Sequence, residues 1–287
     1  MKIYLPIAVI AFLSISCAHT DDVTVRPAPA CPEINCVRTH ENLDATLYLQ
    51  TAAEYEAIAL QTFRMAQELA ERGLADPTWS ATTRPARAHL PPAVIVDVDE
   101  TVLDNSAYQA RLILDDTEFG SESWAAWVEE AAADPVPGAL EFVQWADANG
   151  ITMFYVTNRT GEEEAATRRN LLAAGFPVRD DIDTVLTKGE REEWVSDKTT
   201  RRAHVDRDFR VLLLIGDDLG DFLPRDWTGV ESRSEMVAAS RDRWGKQWLV
   251  LPNPTYGSWI NSLFPAPPES SEERLEILYE ALDPKRE

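Results

Sequence analysis

A doubly wound α/β fold, a parallel sheet with helices on both faces, is predicted by three features of the sequence. Short apolar, β-branched runs recur at residues 93–96, 151–156, 184–186, 211–215 and 248–251. Helical stretches at 138–148, 162–174 and 199–205 fall between them, and regular alternation of strand and helix is the pattern of a parallel sheet. Polar residues follow directly on the apolar runs, where such sheets bind ligands, outside the carboxyl ends of the strands. A small helical cap-like insertion and an N-terminal helical extension complete the expected architecture.

In chain order, residues 1–16 begin with Lys2, continue through the apolar stretch 3–13 and end in small residues before Cys17. That pattern predicts a signal peptide, too short for a transmembrane helix, which needs about 20 apolar residues. Cys17 stands where the lipobox of a bacterial lipoprotein has its acylated cysteine, with Leu13 one position earlier than the usual aliphatic residue. The expectation is an exported protein, lipid-anchored to the bacterial (outer) membrane or periplasmic, touching the membrane by this anchor alone. Residues 17–42 are rich in Pro, Ala and Thr and read as a tether. Cys31 and Cys36 within it can form a disulfide in an oxidising compartment.

Residues 43–73 place apolar side chains at one- or two-helix spacing, and 76–92 hold four prolines, an irregular link into the first strand. The core is expected over 93–264, with an insertion over about 101–137 that contains Trp124 and Trp127. A tail over 265–287 ends in a helix near 272–282. The 45% hydrophobic content suffices for a globular core. A formal net charge of −22 argues against duplex nucleic acid or an acidic bilayer as a partner of the folded body, and favours a multivalent cation.

The strand ends read Asp97-Val98-Asp99-Glu100-Thr101, then Thr157-Asn158-Arg159, then the basic helix start Asp197-Lys198-Thr199 with Arg201, then Gly216-Asp217-Asp218-Leu219-Gly220-Asp221. One Asp-x-Asp pair carries little information. Its combination with the other three ends is specific, because each buried strand must end in the right residue type. Such a set suits phosphoryl transfer, which needs in-line positioning and charge neutralisation. Asp97 can attack phosphorus and form an aspartyl phosphate. Carboxylates at Asp97, Asp217 and Asp221 then call for a hard cation, most simply Mg²⁺. Asp99 can protonate the leaving alkoxide and later take a proton from water. Thr157 and Asn158 can donate to phosphoryl oxygens, and Lys198 or Arg201 can balance the developing charge. Lys188, before the helix, is a third and weaker candidate for that cation.

These residues resemble the haloacid dehalogenase (HAD) superfamily and, within it, the class C non-specific acid phosphatases and 5′-nucleotidase lipoproteins of subfamily IIIB. The resemblance runs over about 43–264 and is strongest in VIVDVDETVLDNSAY (94–108), YVTNR (155–159), LIGDDLGDF (214–222) and LPNPTYGSW (251–259). It implies a HAD-like Rossmannoid core with Asp97 as nucleophile and Asp99 as general acid and base. Mg²⁺ would be held by Asp97, Asp217 and the Asp99 backbone carbonyl, with Asp221 reaching it through water. Arg201 stands at the family's catalytic lysine by spacing, while Lys198 is the only lysine there, so both remain candidates. Trp124 and Tyr256 resemble the pair that stacks a nucleoside base in this family. The implied partner is a small phosphomonoester, a nucleoside 5′-monophosphate above all, and a homodimer is left open. The alternatives are a non-catalytic surface binding lipoprotein on the same fold and another HAD-type phosphotransferase.

Overall fold

The computed structural model describes residues 40–285. The expected signal peptide, Cys17 and the Cys31–Cys36 pair lie outside the described residues. Among the described residues no helix is long and apolar enough to cross a membrane.

The extension forms two helices, α1 (Leu43–Thr51) and α2 (Ala53–Ala75), separated at Ala52, whose backbone turns extended. One stripe of α2 (Ala59, Phe63, Ala66, Leu69, Ala70) is buried in the core. The prolines of 76–92 exclude helix, and side chains clamp this link to the sheet instead. Trp79 Nε1 donates to Leu212 O at 2.8 Å, Trp248 Nε1 to Ala81 O at 2.8 Å, and Arg210 Nη1 to Gly73 O and Asp76 O at 3.1 and 2.8 Å.

The first strand, β1 (Pro92–Val96), enters next, followed by the two-residue β2 (Leu103–Asp104), helices α3 (Ser106–Asp115) and α4 (Ser121–Glu130), and β3 (Asp134–Pro135), which pairs antiparallel with β2. Then come α5 (Ala139–Ala148), β4 (Thr152–Thr160), α6 (Glu164–Ala173), β5 (Val185–Lys188), α7 (Thr199–Asp208), β6 (Arg210–Gly216), α8 (Val230–Ala239), β7 (Trp248–Val250), α9 (Ser258–Asn261) and α10 (Ser271–Glu280).

The order β5-β4-β1-β6-β7 makes one parallel sheet, with β1 in the centre. The expected doubly wound architecture is therefore observed. Two buried clusters lie against the sheet. Val94, Val96, Leu213 and Ile215 belong to one with α2, α5 and the insertion, and Ala93, Ile95, Val211 and Leu214 to the other with Trp194 and Val205. Alternate residues of β1 thus face opposite layers, and β6 supplies both layers too, with one irregularity where Leu212 and Leu213 join the same cluster, which is why those strands read as unbroken apolar runs. The insertion is helical as expected, with the small β2–β3 pair as an addition.

Candidate active site

Chain reversal at the end of β1 builds the centre of the site. The amide of Asp97 still donates to Ile215 O at 2.9 Å, continuing the ladder, and Val98 O then receives the amides of Val102 and Leu103 at 3.0 and 2.9 Å. Glu100 takes a left-handed φ of +55°, unusual for a side chain with Cβ. It is held there by Asn105, whose amide donates to Glu100 Oε1 at 3.0 Å, and by the hydroxyl of Tyr256, which donates to Oε2.

Side-chain oxygens of Asp97, Asp217 and Asp221 lie within 4.8 Å of one another. Two carboxylates come from the turn after β6. There Asp218 caps a short helical turn, accepting from Gly220 N at 2.8 Å, while Asp221 Oδ2 accepts from Asp218 N at 2.9 Å. Gly216 is needed by close approach: a Cβ at 216 would sit 2.2 Å from Asp221 Oδ2. Thr101 Oγ1 and Asn253 Nδ2 donate to Asp217 at 3.2 and 2.9 Å. Arg202 fixes the same turn from α7, through Gly220 O at 2.8 Å and Asp221 O at 3.1 Å.

The cation facing this cluster is Lys198. Its buried Nζ donates to Asp97 Oδ1 at 2.5 Å and Asp221 Oδ1 at 2.6 Å. Arg201, favoured by spacing, instead bonds Thr157 O, Asn158 Oδ1 at 2.7 Å and Val195 O at 2.7 Å. It ties α7 to the end of β4, so of the two cations left open by the sequence Lys198 is the one that meets Asp97. Lys188 ends the edge strand β5, beside Thr160.

The strand β4 runs four residues beyond its expected end, and its pairing with β5 is interrupted between Val156 and Thr160, where Thr157, Asn158 and Arg159 stand. Asn158 Nδ2 donates to Ser196 O at 3.1 Å, so this side chain, with Oδ1 on Arg201, turns towards the 195–201 segment. One hydrogen of Nδ2 is thereby committed to anchoring this segment. Thr157 Oγ1 lies 3.4 Å from Asp99 Oδ2.

Asp99 flanks the cluster and was expected there. What the sequence reading missed is its partner, Arg159, whose Nε and Nη2 reach Asp99 Oδ1 at 2.9 and 2.7 Å. Also missed was Asn253, which takes the amide of Thr255 at 3.0 Å on Oδ1 while holding Asp217. The string LPNPTYGSW contained that signal, because an Asn between prolines forms such a turn.

The aromatic pair is separated in role. Tyr256 is half-buried above Glu100. Trp124 is half-buried too, with Tyr108 edge-on at 5.2 Å and the Arg159 guanidinium over its ring at 5.5 Å. The open ring beside it is Phe119, 6.2 Å away and 65% exposed.

Electrostatics follow from this packing. Burial pushes Asp97 up to about 7; Lys198 pulls it down, and the charges of Asp221 and Asp99 push it up again. Burial, with Asp97 and Asp221, raises Asp217 well above its usual value against the Asn253 hydrogen bond. For Lys198 burial acts downward, and the two carboxylates outweigh it and hold the amine above its usual value. Once ionised, three crowded carboxylates outnumber the one amine in charge, and an all-oxygen donor set fits a hard divalent cation. Such an ion requires the carboxylates ionised, so its binding expels protons.

The sign follows. With no ion bound, the raised Asp97 value contributes stability that is complete below the unfolded value of about 4 and is lost as pH rises through about 7. An added ion reverses that loss. The rise in Tm produced by a divalent cation in a thermal-shift titration is therefore expected to be larger at pH 7.5 than at pH 5, and equal rises would contradict it.

Comparison with known proteins agrees with the geometry. The model of HAD superfamily subfamily IIIB (acid phosphatase) matches residues 21–259. The structure of the class C acid phosphatase from Bacillus anthracis is similar with a TM-score of 0.75 and 29% identity, covering 84% of this chain and 96% of that one. A tungstate-bound crystal structure of that phosphatase gives 0.74 at the same identity and coverage. Acid phosphatase 1 of Solanum lycopersicum is 30% identical over 138 residues, 45% of this chain and 51% of that protein. The stem 28 kDa glycoprotein of Glycine max is 25% identical over 49% of this chain and 56% of its own length, so the chain spans about half the length of these curated relatives. With the carboxylate cluster, the flanking Asp99 and the lysine in place, the chain belongs to the HAD superfamily, subfamily IIIB, the acid phosphatase family.

Proposed function

We propose that this protein is a Mg²⁺-dependent phosphomonoesterase that hydrolyses nucleoside 5′-monophosphates through an aspartyl phosphate on Asp97. The carrying observation is Lys198 bridging Asp97 and Asp221 beside Asp217, with Asp99 two residues from the nucleophile. Tungstate, a tetrahedral oxyanion, bound to the Bacillus anthracis relative supports a phosphoryl site in this fold.

Asp97 attacks phosphorus in line, and the P–O bond to the alkoxide breaks as Asp99 gives the leaving oxygen a proton. In the second half Asp99 takes a proton from water, whose oxygen attacks phosphorus and releases phosphate and Asp97. Lys198 holds Asp97 and balances negative charge throughout. Asp97, Asp217 and the Asp99 carbonyl, with Asp221 in the same cluster, are the groups that would hold Mg²⁺, which when bound would screen these carboxylates from the incoming phosphate.

Nucleotide preference rests on Phe119 and Tyr256 as stacking faces, with the tilted ring of Trp124 beside Phe119 at 6.2 Å. A base stacked on an aromatic ring gains about 1–3 kcal/mol. Wild-type kcat/KM is expected to favour AMP over glucose 6-phosphate by at least about 10-fold. Phe119→Ala and Tyr256→Ala should each lower kcat/KM for AMP by roughly 5- to 100-fold and leave glucose 6-phosphate nearly unchanged. Equal wild-type efficiency on both esters would remove the nucleotide assignment.

A further inference from the structure

Asp99 has two carboxylate oxygens, and the protein treats them differently. Oδ1 accepts from Arg159 Nε at 2.9 Å, Arg159 Nη2 at 2.7 Å and Asn105 Nδ2 at 3.0 Å. Oδ2 has only the hydroxyl of Thr157, at 3.4 Å, among the described hydrogen bonds. An oxygen with three donors already on it, two from one guanidinium, cannot take a proton without losing one of them. The proton therefore resides on Oδ2 whenever Asp99 carries one.

The clamp is itself rigid. Arg159 is 2% exposed, its Nη1 donates to Thr167 Oγ1 at 3.3 Å, its Nη2 also reaches Asn105 Oδ1 at 3.3 Å, and Trp124 covers its face. Asn105 is fully buried, accepts from Trp127 Nε1 at 2.8 Å and binds Glu100 through its backbone amide. Both tryptophans come from α4, so the insertion braces the clamp, which a merely stabilising ion pair would not require.

We propose that Arg159, with Asn105, is a positioning residue that immobilises Oδ1 of Asp99 and so assigns Oδ2 to proton transfer in both half-reactions. This deepens the reading above and rests on Asp99 as general acid and base. In the first half the Oδ2 proton passes to the alkoxide oxygen as its bond to phosphorus breaks. In the second, Oδ2 takes a proton from water as the water oxygen bonds phosphorus and the bond to Asp97 breaks.

Leaving-group dependence tests this. The readout is kcat/KM, which covers steps only through formation of the phosphoenzyme, for an alkyl ester (2-phenylethyl phosphate) and for 4-nitrophenyl phosphate, whose leaving group needs no proton. Arg159→Gln is expected to lower the alkyl value about 100-fold and the aryl value less than about 5-fold, because general acid catalysis is worth roughly 10²- to 10⁴-fold. Arg159→Lys, keeping charge without the fork, should restore part of the alkyl activity. In an Asp99→Asn background Arg159→Gln should add no further loss on the alkyl ester. Equal losses on both esters, no loss on the alkyl ester, or additive losses would overturn the inference. If Arg159→Gln does not fold, Arg159→Lys and Asn105→Ser carry the test, with a split in the same direction of about 10-fold expected and a flat response overturning it. Asp99→Asn alone separates the two readings. Absence of the split there removes Asp99 as the acid, whereas a split there without one in the Arg159 variants removes only the proposal for Arg159.

Discussion

Asp97→Asn is expected to lower kcat/KM for a phosphomonoester by at least about 10⁴-fold, because the amide cannot form the acyl phosphate on which both half-reactions depend. The fold should survive. Asparagine is nearly isosteric, its Oδ1 can still accept from Lys198, and Lys198 keeps Asp221 at 2.6 Å. Burial already works against the charge on Asp97, so removing that charge relieves a desolvation penalty rather than creating one. The expected picture is an inactive protein with an unchanged or raised Tm without added metal. A rate within about 10-fold of wild type would exclude Asp97 as the nucleophile.

The second large effect distinguishes the two cations. Lys198→Met keeps the aliphatic volume and removes the charge that joins Asp97 and Asp221, 124 positions apart in sequence, at one point. Deprived of it, the carboxylates repel one another and burial favours their protonation, which silences the nucleophile. A fall of about 10³-fold in kcat/KM is expected. Arg201→Met should cost less than about 10-fold in turnover and appear chiefly as a lower Tm, because Arg201 bonds Asn158 Oδ1 and Val195 O, each at 2.7 Å, and not the nucleophile. The reverse ranking in steady-state kinetics would return the role to Arg201.

The cation was ambiguous in sequence for a physical reason. Residues three apart at a helix start share a face, so spacing alone cannot separate Lys198 from Arg201. The choice is made by acceptors in distant segments, Thr157 O and Asn158 Oδ1, which draw the longer side chain aside. Strands β1, β4 and β6 were legible because both of their faces are buried, leaving a continuous apolar run that ends where polar chemistry begins. Helix α8 was not, since most of its apolar residues gather at 236–239 instead of recurring at helical spacing. The β2–β3 pair, with two residues in each strand, is too short to carry alternation.

The four polar motifs were visible as residue types at strand ends, but the groups that orient them were not. Arg159 meets Asp99 across 60 positions, Asn253 meets Asp217 across 36, and Tyr256 meets Glu100 across 156. Each partner is an ordinary polar residue whose role exists only once the sheet order brings the ends together. Trp124, read from its position as a stacking face, is half-buried against Tyr108 and Arg159, and Phe119 beside it is the more exposed ring.

The central claim, that a carboxylate at the tip of the central strand is phosphorylated, is tested most directly by trapping that species. Enzyme turning over AMP with Mg²⁺ would be quenched in acid, treated with borohydride, which reduces an acyl phosphate to an alcohol, and mapped by peptide mass spectrometry. Homoserine in place of Asp97 is the expected product. Continued turnover with position 97 left as aspartate, or homoserine at another carboxylate, would contradict the account.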